Sequence, residues 1–213
     1  VIPRLWLVTD RHLAHDLPQA VRRAFAVLDA SEVALVLREK DLPTRDLLAL
    51  ASTLRDLTGA AGAKLVVSGR FDVALAARAD GVHLGREAPP SSAVRAATGE
   101  TLLIGASLHG EETPPPGVDY VFLSPVFATT SKPGAAPMGI EGLQRGVRRA
   151  DVPVVALGGV DPARAAACFA AGAAGVALRS GWLTADNAAL ESLRGALEAP
   201  RGEAPLAAFR TRH

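Results

Sequence analysis

The chain of 213 residues reads as an α/β protein, a single-domain TIM (β/α)8 barrel. Short β-branched apolar runs recur eight times, and the segments between them are mostly long enough for a helix and rich in Ala and Leu. That alternation predicts a parallel sheet, because a crossover helix is what returns the chain to the start of a parallel neighbour. Eight such units favour closure into a barrel over an open sheet.

The expected strands are Leu5 to Thr9, Val33 to Leu37, Lys64 to Ser68, Gly81 to Leu84, Thr101 to Gly105, Tyr120 to Leu123, Val152 to Leu157 and Gly175 to Leu178. Helical spacing of apolar residues is clearest in LPTRDLLALASTLRDLTGAAG, where Pro43 suits a helix start. One unit departs from the pattern. Between His109 and Asp119 the chain holds three consecutive prolines, which cannot continue a helix, so the fifth helix is expected to be missing or reduced to a turn. The barrel is assigned to residues 1–198. The tail 199–213 has no sustained period and is expected to be flexible or to serve as a dimer arm.

Composition excludes several functions. The net charge of +1 comes from balanced acids and bases, so no broad basic surface for nucleic acid is expected. Arg22, Arg23, Arg145, Arg148 and Arg149 fall in helical stretches and read as solvated faces. The single Cys168 excludes an internal disulfide and a cysteine metal site, and it lies in an apolar helix, where it reads as packing. No apolar run approaches the roughly 20 residues that span a bilayer. The start VIPRLWLVTDR lacks a signal-peptide pattern, so a cytoplasmic location is expected.

Chemistry concentrates between Tyr120 and Ser180, where YVFLSPVFATTSKPG, VPVVALGGVDP and AGVALRSGW each run from a strand into a loop suited to phosphate. In a parallel barrel the last two such loops commonly bind phosphate through backbone N–H groups. Gly158 and Gly159 occupy one of them, and Arg179 and Ser180 the other. A small phosphorylated substrate follows as the expectation.

Taken in order, the segments LWLVTDR, VLREK, DGVHLG, IGASLHG, DYVFLSPVFATTSKPG, PVVALGGV and AGVALRSG resemble the thiamin phosphate synthase and thiazole tautomerase superfamily over nearly the whole chain. The resemblance implies a thiazole phosphate bound at the top of the barrel. It places Thr129, Ser131 and Lys132 on the substrate, and Gly159 with the Arg179–Ser180 backbone on the phosphate. A synthase joins that thiazole to an aminopyrimidine carried as a pyrophosphate ester, normally with Mg2+ held by carboxylates. Here the third strand ends in Ser68-Gly69-Arg70 where the synthase pattern has Asn-Asp-Arg, Ala88 stands for an aspartate, and Val36 for a glutamine that reaches the pyrimidine. Asp10 and Glu87 are the acids from which a relocated Mg site would have to be built.

Those departures favour a metal-independent thiazole tautomerase, an isomerase with no cofactor. In this reading His109 moves a proton to aromatise a dihydrothiazole carboxylate phosphate, since an imidazole has a suitable unperturbed pKa. Arg38 and Lys40 alternate about Glu39 and would bind the substrate carboxylate, while Ser107 would orient the ring or the histidine. His83 reads as structural, and Glu111 and Glu112 as a solvated turn, one of them available to orient His109. The alternatives are a synthase with a relocated Mg site and a non-catalytic thiazole phosphate-binding relative. A homodimer is the only partner the resemblance suggests beyond the small molecule; neither nucleic acid nor membrane is expected.

Overall fold

The computed structural model describes residues 2–129 and 134–198. Ser131, Lys132 and the tail 199–213 lie outside them.

Eight parallel strands close into a barrel in sequence order: β1 (Leu5–Val8), β2 (Val33–Leu37), β3 (Lys64–Ser68), β4 (Gly81–Leu84), β5 (Leu103–Leu108), β6 (Tyr120–Leu123), β7 (Val154–Leu157) and β8 (Gly175–Leu178). Around them run α1 (Leu17–Val27), α2 (Thr44–Ala61), α3 (Phe71–Ala76), α4 (Ser91–Thr98), α5 (Gly139–Arg149), α6 (Pro162–Ala170), α7 (Ser180–Leu183) and α8 (Asn187–Leu197). Local signals explain several starts. Asp16, Asp161 and Asp186 each accept a backbone N–H from the first turn of the helix they precede. Gly62, at φ 79°, ends α2 in the left-handed region that glycine enters without cost.

No helix follows β5, as the prolines require. The connection is held instead by Ser91 Oγ, which donates to Pro116 O at 2.8 Å, and by Arg95, which reaches Gly117 O at 3.3 Å. The fifth strand is later and longer than the expected 101–105. Ser107 and Leu108 pair with Phe122 and Leu123 of the neighbouring β6, a partnership that local sequence does not reveal.

Two apolar layers result. The outer one packs the strands against the helices. The inner one fills the barrel with Trp6, Val8, Ala34, Val36, Val66, Tyr120, Phe122, Val155 and Ala177. Large rings fit because small residues face them: a Cβ at Gly105 would run into the Tyr120 ring, and one at Gly81 would meet Leu103 O at 2.7 Å. Trp6 stacks tilted on Tyr120 at 4.4 Å between centroids and meets Phe122 edge-on at 5.3 Å. The interior is therefore a plug, and a ligand has access only at its ends.

Cys168 is fully buried, and burial pushes its thiol up to about 11, which agrees with a packing role. Among the described residues no helix is long and apolar enough to cross a membrane.

Candidate active site

The C-terminal ends of the strands carry the polar side chains. On β2, alternation turns Val36 inward and brings Arg38 to the mouth just beyond it. Thr9 Oγ1 accepts from Arg38 N at 2.9 Å, which fixes the backbone there. The Arg38 guanidinium is half-buried and has no protein partner among the described residues. Lys40 is exposed and sits 3.8 Å from Glu87. Glu39 turns the other way and is 4% exposed; it accepts from Thr9 Oγ1 at 2.6 Å and from Arg11 N at 3.1 Å. This saturated carboxylate locks β1 to β2.

Beside Arg38, His83 of β4 lies buried against Phe122 at 4.1 Å, and its Nε2 is 2.9 Å from Ser107 Oγ. Burial, reinforced by the Arg38 charge, pushes His83 down to about 3, so the imidazole is neutral at physiological pH. Ser107 therefore partners His83. The sequence reading offered Ser107 to the substrate ring or to His109; its hydroxyl lies on His83, while the His109 ring lies on Ser124. Ser107 also lines a cavity of about 400 Å3 together with Leu84, Ala88, Ala106, Pro115 and Pro116. The proline connection thus forms one wall. A second hollow of about 560 Å3 lies between the loop after β1 and Leu50 of α2, and its lining includes none of the residues singled out for chemistry.

His109 follows β5 directly. Its ring Nδ1 lies 3.0 Å from Ser124 O, a carbonyl that can only accept, so Nδ1 carries the proton. Glu112 accepts from His109 N at 2.7 Å. That acid orients the main chain of the turn, not the imidazole. Together the contacts tie the end of β5 to the end of β6.

At the phosphate loops, Gly158 and Gly159 have φ of 97° and 61°. A Cβ at Gly158 would meet Pro125 Cα at 2.9 Å, and one at Gly159 would strike Ala128 O. Both glycines are required for the loop after β6 to lie against the loop after β7, where Phe127 N donates to Gly158 O at 2.9 Å. Arg164 covers this side, donating to Gly159 O at 2.7 Å with its guanidinium over the Phe127 ring. The start of α7 is adjacent, since a Cβ at Gly181 would stand 4.0 Å from Val160 O. The side chain of Arg179 reaches Asp10 at 3.5 Å, and Thr129 lies on the loop after β6. The structure thus brings Gly158, Gly159, Arg179 and Ser180 to one side of the mouth, and Arg38, Ser107 and His83 to another.

Sequence reasoning missed Asp10 as the partner of Arg179, Ser124 as the partner of His109, and Arg164. Only the helix-capping pair Asp161 and Arg164 had a local signal, three residues apart at a helix start.

The donor set does not fit a protein-held divalent cation. Gly69 and Ala88 occupy the places where the resemblance puts the metal carboxylates. The acids available for a relocated site are far apart in role: Asp10 faces Arg179, and Glu87 faces Lys40. Among the described residues no group of three His, Cys, Asp or Glu could hold a metal.

Fold and mouth define a class, an eight-stranded parallel barrel whose C-terminal end is lined by cations and glycine loops. Within that class the chain belongs to the thiamine monophosphate synthase family, whose model matches residues 5–182. A thiamine-phosphate synthase of Chloroflexus aurantiacus is 41% identical over 202 residues, covering 90% of this chain and 91% of the relative. One from Moorella thermoacetica is 39% identical over 209 residues, covering 93% and 98%. Among solved structures, the thiamine phosphate pyrophosphorylase of Pyrococcus furiosus superposes with a TM-score of 0.80 at 34% identity, covering 92% and 95%.

These likenesses overturn the tautomerase expectation and the isomerase class with it. The relatives that share the chain almost end to end carry the name of a transferase. The substituted metal ligands report on how charge is balanced, not on which bond is made. His109, which the resemblance finds in both branches, could not separate them.

Proposed function

We propose that the protein is a transferase that joins a thiazole phosphate to an aminopyrimidine delivered as its pyrophosphate ester. The observation that carries this reading is the 41% identity to a thiamine-phosphate synthase along 90% of the chain. The geometry supports it with two separate anion-receiving regions, as two phosphorylated substrates require. Gly158, Gly159 and the Arg179–Ser180 turn would receive the thiazole phosphate, with Thr129, Ser131 and Lys132 completing that side. Arg38 and Lys40 would receive the pyrophosphate, and Ser107, held by His83, would contact the pyrimidine from the cavity wall.

In the reaction the carbon–oxygen bond to pyrophosphate breaks and its electron pair leaves with the pyrophosphate. The thiazole nitrogen supplies the pair for the new carbon–nitrogen bond. No proton needs to move, so His109 is assigned a positioning role: it holds the ends of β5 and β6 together through Ser124.

The test is to supply both substrates and follow thiamin phosphate by fluorescence after oxidation, alongside pyrophosphate release. Product formed in step with pyrophosphate is expected. Binding of the thiazole phosphate with no product under any condition would instead favour the non-catalytic relative, a reading for which Val36, Ser68 and Ala88 speak.

A further inference from the structure

At the β3 and β4 side of the mouth the chain offers oxygen ligands too few for a metal and one cation too many. Ser68, Gly69 and Ala88 bring no carboxylate. A side chain would fit at Gly69, where a Cβ would meet nothing within 4 Å and φ is 75°, a region that Asp and Asn tolerate better than other L residues. Packing therefore does not forbid a carboxylate at that place; the sequence omits it.

The nearby acids are committed elsewhere. Asp72 accepts from Arg70 through two bonds of 2.8 and 2.6 Å. Glu39 is turned to the reverse side of β2 and saturated by Thr9 and Arg11. Glu87 projects into solvent opposite Lys40. Magnesium bound beside a substrate phosphate normally keeps one or two protein carboxylates, and among the described residues none is left for it here.

Arg38 has the opposite property. Its guanidinium is half-buried beside the neutral His83, with no carboxylate against it among the described residues, and its main chain is held by Thr9. A charge withdrawn from water without a counter-ion is unfavourable, and an arriving anion relieves that cost.

We infer that this side of the mouth binds the pyrophosphate group without a protein-held divalent cation, and that Arg38 supplies the charge compensation a metal would otherwise give. This rests on the synthase reading. As the carbon–oxygen bond breaks, charge accumulates on the departing pyrophosphate, and a guanidinium, protonated throughout, answers it with fixed N–H donors.

The test is calorimetric titration of the whole protein with inorganic pyrophosphate, once in EDTA and once in excess Mg2+, with Mg2+ alone as a third titration. Affinities within about threefold of each other are expected in the first two, and no saturable heat in the third. Arg38→Ala should weaken binding about tenfold or more in EDTA, and Arg38→Lys should restore part of it. Binding that appears only with Mg2+, a saturable Mg2+ site in the wild type, or no pyrophosphate binding in either buffer would overturn the inference. The wild-type comparison needs no variant, so a folding defect in Arg38→Ala cannot decide it. The synthase reading fails separately: metal-independent pyrophosphate binding with no turnover of the two substrates, with or without Mg2+, would remove that reading and leave the anion site standing.

Discussion

The two ends of the barrel treat charge in opposite ways. At the base, Asp80 accepts from Leu65 N at 2.8 Å and from Arg55 at 2.7 Å, and Asp119 accepts from Ile104 N at 2.7 Å and from Arg95 at 2.6 Å. The motif is repeated: an acid ahead of a strand clamps the start of the preceding strand to a helix arginine. Every charge in these clamps has a partner, and each acid also holds a backbone N–H. At the mouth, Glu39 is consumed in locking β1 to β2, while Arg38 has no carboxylate against it among the described residues. Paired charge marks the end that holds the barrel together; at the mouth Lys40 and Arg179 also face acids, and Arg38 is the cation set apart, with no carboxylate against it among the described residues.

Asp119→Ala tests the base and should show the largest effect, because it leaves Ile104 N–H without its acceptor and takes from Arg95 its 2.6 Å carboxylate partner. A loss of about 3 kcal/mol in chemical denaturation is expected, with pyrophosphate affinity in the folded protein unchanged. A loss below about 1 kcal/mol would end the claim that the clamps support the fold.

His83 should come next. Its folded pKa is lowered, so between pH about 3 and about 6.5 the unfolded chain binds a proton that the folded chain refuses, and stability falls as pH falls through that window. From pH 7 to pH 5 this group should cost about 2 kcal/mol. His83→Gln removes the titration, so its stability should fall less than the wild type's over the same interval. Equal slopes would show that the imidazole is already charged in the folded state.

Arg38→Ala sharpens the contrast. It should leave stability within about 0.5 kcal/mol of the wild type or raise it, since no favourable protein contact is removed. A destabilisation approaching that of Asp119→Ala would dissolve the distinction between the ends. The smallest effect is expected for Glu87→Gln, which opens an exposed pair with Lys40: less than about 0.5 kcal/mol, vanishing in high salt. A larger, salt-resistant change would place that pair in the site's framework.

Local pattern carried the sequence reading as far as local physics reaches. Strands β2, β3, β4, β6 and β8 stand where β-branched runs placed them, and the prolines after β5 abolish a helix as expected, because a missing N–H and a fixed φ act whatever the surroundings. The glycines at 158 and 159 were legible as a special loop, although the structure gives them a second duty, making room for the loop after β6. Reaction class was misjudged for a related reason. Three absent ligands were visible one by one, but whether other groups compensate depends on what the fold brings beside them.

By itself, then, the sequence determined a closed βα barrel, most of its strands and the missing fifth helix, since these follow from periodicity and from residues whose conformational limits are intrinsic. Only the tertiary structure decided that Ser107 meets His83, that Asp10 meets Arg179, that Glu39 is spent on Thr9 and Arg11, and that no carboxylate among the described residues meets Arg38. Those partners are separated by tens of residues along the chain. Barrel closure brings them to one rim, and the charge left over there is a property of the whole ring of strands.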